Sequence, residues 1–136
     1  MTMNTFTLFL IGFFVMVATA TFGQTQSDMN SAQGQTLQQA DKALNTVYQK
    51  VLKQYSTDPE FIKNLKIAQR IWVQFRDAEV KMKYPDRPVG EYGSAQPMCE
   101  ATYRTELTQQ RTKTLTRWLT GVEEGDVCAG SVKIKE

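Results

Sequence analysis

Residues 58–79 read DPEFIKNLKIAQRIWVQFRDAE, and an all-α fold is expected from this pattern. It opens as a helix must. Asp58 offers a carboxylate to the free backbone N–H groups of a first turn, Pro59 suits the first helical position, and Glu60 favours the positive end of the dipole. Phe61, Ile62, Leu65, Ala68, Ile71, Trp72 and Phe75 then recur at three- and four-residue spacing, which places them on one face of an amphipathic helix. The pattern runs to about Met82, and Pro85 forbids much helix beyond Lys83.

The same period appears on either side. From Thr36, Leu37, Ala40, Leu44, Val47, Val51 and Leu52 form an apolar stripe that ends near Tyr55 and Ser56. Between Tyr84 and Ser94 the chain reads YPDRPVGEYGS, with two prolines and two glycines, and is expected to be a loop. A third helix is expected from about Ala95 to Thr120, with Met98, Ala101, Leu107, Leu115, Trp118 and Leu119 on its apolar side and Gly121 suited to its end. Residues 122–136 are expected to form a polar tail. Residues 24–35 are rich in Gln, Ser, Thr, Asn and Gly, and are expected to be a disordered leader. No segment alternates with period two, and there is no internal repeat. The expected fold is all-α, an antiparallel three-helix bundle-like domain over residues 36–121.

Before these elements lies an unbroken apolar run from Leu8 to Ala18. It is shorter than the ~20 residues a bilayer span needs and fits the apolar core of a secretory signal. Small residues follow it. Cleavage is expected after Gly23, with Ala20 a second candidate, so residues 1–23 read as a signal peptide and the domain as periplasmic or secreted. No Lys or Arg precedes the run, which leaves an uncleaved anchor as the alternative.

All 16 Lys and Arg and all 14 Asp and Glu follow the apolar run, so the domain is close to neutral at +2. That balance excludes a nucleic-acid binder or a polybasic membrane binder, and stable membrane insertion is not expected once the signal is removed. The sequence has no His, and its two cysteines are too few for a thiolate zinc site. No glycine-rich phosphate loop or nucleophile–base pairing is present, so no enzyme, cofactor or metal is expected. Cys99 and Cys128 in an exported chain invite a disulfide, with two free thiols as the alternative.

Polar residues inside the helical pattern are the candidate site. Asp41, Asn45 and Tyr48 share one side of the first helix. Gln69, Trp72 and Arg76 share one side of the second, and Thr108, Arg111 and Leu115 one side of the third. Arg76 can lay its guanidinium on Trp72, and if enclosed it needs a carboxylate, for which Asp41 and Asp77 are the candidates. One reading is a hydrogen-bonded network that fixes helix register. The other is a ligand or active site built from Asp41, Arg76, Asp77 and Glu79.

These residues also carry a resemblance. DKALNTVY (41–48), LKIAQRIWVQFRDAE (65–79), Gly93-Ser94, Cys99 and LTQQR (107–111) resemble the LprI-type lysozyme-inhibitor family over about residues 36–120. The resemblance implies an exported helical domain and, as reported for some members, inhibition of lysozyme. The chain departs from the family pattern in its cysteines. Many relatives carry one at the position of Val80 and another before the aspartate of the first helix, so the departure implies that Cys99 pairs with Cys128 instead.

The expected function is therefore inhibition of lysozyme-type muramidases by occlusion of the active-site cleft. The candidate element is the 84–94 loop, with Tyr84, Asp86, Arg87, Tyr92 and Ser94. Glycosidase clefts hold two carboxylates that Arg87 can meet. An ordinary interhelical connection is the alternative for that loop, and a +2 domain gains no long-range steering toward a cationic lysozyme. A second expectation is a non-enzymatic adaptor module for another envelope protein, whose mark is an exposed apolar patch.

Overall fold

The structure is a computed structural model and describes residues 25–135; the expected signal peptide at residues 1–23 lies outside them. Three helices follow in order: α1 (Gln26–Gln54), α2 (Pro59–Lys83) and α3 (Gln96–Thr120). The fold is all-α. At 1.5 Å per residue the rods are roughly 37–43 Å long.

Each helix begins and ends for a local reason. The Asp58 carboxylate accepts from the Phe61 N–H at 2.9 Å, with Pro59 at the first position of α2. Gly121 closes α3 at φ +73. The start of α1 corrects the sequence reading: residues 26–35 are helical rather than a disordered leader. A capping box explains it. Thr25 accepts from the Asp28 N–H, and the Asp28 carboxylate accepts from the Thr25 N–H at 3.2 Å. The Asn30 side chain then donates to the Ser94 carbonyl at 3.1 Å, which ties this first stretch to the α2–α3 loop.

The direction of the rods follows from where their ends meet. Asn30 and Ser94 join the starts of α1 and α3, and Gln54 and Tyr55 reach the carbonyl of Trp118 at their ends. Hence α1 and α3 run parallel, with α2 antiparallel to both. The core collects Leu44, Val51, Tyr55, Leu65 and Leu115, with Trp72, Trp118 and Phe61 packed at its margin.

Small residues set the spacing of α1 and α3. The buried face of α3 runs through Thr105 and Thr108 as well as Leu115, not along the apolar residues alone, and meets the buried Ala40 of α1. Both threonine hydroxyls donate to carbonyls four residues back at 2.8 Å, so they are buried without an unmet hydrogen bond. Ala and Thr let these two backbones come close. Trp72, Arg76 and Arg111 are long side chains and hold α2 farther off.

The inward face of α2 carries Phe61, Leu65, Trp72, Arg76 and Val80. Ile71 and Phe75, expected on that face, lie instead on the outside at 56% and 55% exposed, with Ile67 and Met82 beside them. At 100° per residue, Ile71 and Phe75 sit on average ~90° around the helix from Leu65 and Trp72. The continuous run of apolar residues therefore divides into two stripes, only one of which finds a partner.

The tail folds back over the Tyr55–Trp118 end. Val122 and Ile134 form a parallel bridge. The Trp118 indole N–H donates to the Ser131 hydroxyl at 3.0 Å, and the Lys133 N–H donates to the Tyr55 hydroxyl at 3.2 Å. Among the described residues no helix is long and apolar enough to cross a membrane.

Candidate functional site

Arg76 sits at the centre of a polar belt where the three helices meet. Its side chain is only 13% exposed. One terminal nitrogen donates to the Asp41 carboxylate of α1 at 2.9 Å and to the Thr108 hydroxyl of α3 at 3.2 Å. Its Nε donates to Asp77 at 3.3 Å. The guanidinium lies 5.3 Å from the centre of the Trp72 ring, one turn earlier on the same helix. One arginine thus joins all three rods, and the donors that burial would leave stranded meet two carboxylates and a hydroxyl.

The belt continues in both directions. Asp77 also accepts from Arg104 at 2.5 Å, and Arg104 donates to Glu100 at 3.2 Å. Arg111 donates to the Gln69 side chain at 3.0 Å and lies 5.8 Å from the Trp72 ring. Burial pulls the Arg111 guanidinium below its ordinary value, and among the described residues no carboxylate stands within salt-bridge distance of it. Glu79 faces elsewhere and accepts from the Tyr103 hydroxyl at 3.1 Å, so Asp77 and Glu79 serve different partners.

Two residues expected in this network stand apart from it. Asn45 is exposed, and Tyr48 packs its ring against the core. Both lie C-terminal to Asp41 on α1, beyond the level at which Arg76 crosses. Arg104, Glu100 and Tyr103 were not anticipated. Their signal was present: Arg104 lies four residues before Thr108 and seven before Arg111, on the same face, with Glu100 one turn earlier to hold it.

The belt opens toward the 84–94 loop through a cleft of about 520 Å³, lined in part by Asp77, Lys81, Glu100, Arg104, Tyr84 and Arg87. The loop has an internal frame. Tyr84 and Tyr92 meet edge to face at 5.9 Å, and the Tyr92 hydroxyl donates to the Pro85 carbonyl at 2.9 Å. Backbone turns run from Glu91 to Pro88 and from Gly93 to Gly90, where Gly90 and Gly93 take positive φ. Tyr84 and Tyr92 are therefore the frame of the loop rather than free anchors. Asp86, Arg87 and Val89 are exposed, Val89 fully so, and Arg87 has only a long 3.8 Å contact to Glu91. Burial, with the nearby Cys99 and Glu100, raises the Tyr84 phenol above its ordinary value, which keeps it neutral.

The expected disulfide is absent. Cys99 and Cys128 are both free. Cys99 lies in the first turn of α3, while the tail that carries Cys128 is tied to Trp118 and Tyr55 at the other end. The 21 residues from Cys99 to Thr120 span roughly 32 Å of helix. A bridge needs Cα atoms within about 7 Å.

No group of His, Cys, Asp and Glu among the described residues is arranged to hold a metal ion. Within the belt Arg76 and Arg104 are paired with Asp41, Asp77 and Glu100, while Arg111 meets only the Gln69 amide and the Trp72 ring. Comparisons with curated proteins and with solved structures return no match. A protein-family model described as lysozyme inhibitor LprI does match, over residues 18–115, most of the chain and nearly all of the three helices. The Asp41, Gln69–Asp77 and Thr108–Arg111 residues that build the belt all fall within it, and on that match the chain belongs to the lysozyme inhibitor LprI family.

Proposed function

We propose that the protein is exported and inhibits a lysozyme-type muramidase by inserting its 84–94 loop into the substrate cleft. The observation that carries this reading is the framed loop with its unspent tip. Tyr84, Tyr92 and Pro85 hold the loop from within, while Arg87 and Val89 project into solvent. A loop already held in shape loses little conformational entropy on binding. Arg87 can exchange its long contact with Glu91 for bidentate hydrogen bonds to the cleft carboxylates of a glycosidase, and these are strong because both partners are charged.

The polar belt serves this role from behind. By fixing α2 against α3 through Asp77 and Arg104, it fixes the two ends between which the loop is strung. The experiment is an inhibition titration: purified protein against a lysozyme acting on peptidoglycan. Inhibition at micromolar protein is expected, and full lysozyme activity at a large molar excess would remove this reading.

A further inference from the structure

The outer stripe of α2 is accounted for neither by the core nor by the loop. Ile67, Ile71, Phe75 and Met82 follow at four, four and seven residues. They lie within about 80° of arc and extend ~22 Å along the helix. All four are exposed, Met82 at 70%. At ~200 Å² for a large side chain, partial exposure of these four leaves on the order of 400–500 Å² of apolar surface in water. That is the upper range for a soluble monomer and marks an interaction face.

What covers it is indicated by charge. On one flank the same helix carries Lys63, Arg70 and Lys81, all exposed; of the acidic residues that border the stripe, Glu60 is engaged by Lys63 and Glu79 accepts from the Tyr103 hydroxyl. On the other flank the stripe runs past Ala68 and Asn64 into a groove between α2 and α3 of about 260 Å³. Phe61, Leu65, Leu115 and Trp118 wall this groove, and Arg111 reaches into it. Arg111 is the one belt arginine with no carboxylate partner among the described residues. A cation half withdrawn from water and unpaired is an unfavourable arrangement that an incoming carboxylate relieves. The face is thus apolar along its centre, cationic along the Lys63–Arg70–Lys81 flank and cationic at Arg111 on the other, where Glu79, held by Tyr103, marks its Met82 end.

We propose that this face of α2, with the adjoining Arg111 groove, docks an acidic amphipathic helix of a partner protein. The partner's apolar side chains would cover Ile67, Ile71, Phe75 and Met82. Its carboxylates would meet Arg111 on one side and Lys63, Arg70 and Lys81 on the other. A second copy of the chain is a poor occupant. Antiparallel pairing of two α2 helices about a two-fold axis sets the Lys63–Arg70–Lys81 ridge against itself. A cationic lysozyme is disfavoured on the same ground, so this surface is separate from the 84–94 loop and does not depend on the inhibitor reading.

The test uses the full chain and a fluorescent 18-residue helical probe with leucines on one face and glutamates on the other, beside a matched probe bearing lysines. Binding of the glutamate probe at micromolar concentration is expected, with the lysine probe at least tenfold weaker. Phe75→Ser and Arg111→Gln should each weaken binding about tenfold. Since Phe75 is exposed, its substitution leaves the melting temperature in place, which keeps the test valid should Arg111→Gln disturb the fold. Equal binding of both probes, no binding at 100-fold higher concentration, or unchanged affinity in both variants would overturn the proposal. So would capture by anionic phosphatidylglycerol vesicles without binding of the probe, which would assign the face to a lipid surface. Concentration-dependent dimerisation abolished by Phe75→Ser would assign it to a second copy and overturn it equally.

Discussion

Arg76 shows how a single side chain becomes structural. Its guanidinium reaches Asp41, Asp77 and Thr108, one partner or more on every helix. Asp41 is 45% exposed, so water screens part of that attraction and the full cost of breaking a buried pair does not apply. Arg76→Ala is expected to lower stability by roughly 1–3 kcal/mol, a drop of several degrees in melting temperature. The variant should still inhibit below its melting point, because no loop contact is removed. Unchanged melting with inhibition lost would place Arg76 in the binding surface instead. The pairing was legible because Asp41, Trp72 and Arg76 fall on facing sides at helical spacing. The exposure of Asn45 was not, because spacing gives the side of a helix and not the level at which a neighbour crosses it.

Elements were legible where capping residues and period agreed. Asp58-Pro59-Glu60 marked the start of α2, and Asp58→Ala should cost about 1 kcal/mol in chemical denaturation, as loss of a helix cap generally does. The start of α1 was hidden by composition. Polar residues 24–35 lack an apolar stripe, yet Thr25 and Asp28 carry the spacing of a capping box, and that local signal prevailed. The buried face of α3 was obscured because threonines fill it, and a threonine is half-apolar only once its hydroxyl has a backbone acceptor. The loop reads best at this scale as a framed element with a free tip. Arg87→Ala should raise the concentration for half-inhibition at least tenfold, equivalent to about 1.4 kcal/mol, without shifting the melting temperature. Tyr92→Phe removes the hydroxyl that holds the Pro85 carbonyl and should weaken inhibition less, by loosening the frame.

At the scale of the whole molecule, closure depends on the tail rather than on a covalent bridge. Tail residues 131–135 return to Tyr55, Trp118 and Gly121, and a β-carbon at Gly121 would stand 2.8 Å from the Lys133 carbonyl oxygen. Gly121 also holds φ +73, so Gly121→Ala combines backbone strain with a backbone clash. It should destabilise by roughly 1–3 kcal/mol in thermal unfolding, with loss of the Trp118–Ser131 contact. The free thiols give a further check: both Cys99 and Cys128 should be alkylated in the unfolded protein without prior reduction, and a reductant should leave melting unchanged. Two cysteines in one chain showed that a bridge was chemically available. The long α3 rod between them decides otherwise, and that separation is a property of the assembled bundle. Hydrogen exchange on the lysozyme complex decides whether the 84–94 loop is the inhibitory element. New amide protection is expected to concentrate in residues 86–93, with the outer face of α2 unchanged. Protection confined to α2, or a loop that exchanges as fast with lysozyme as without it, would contradict it.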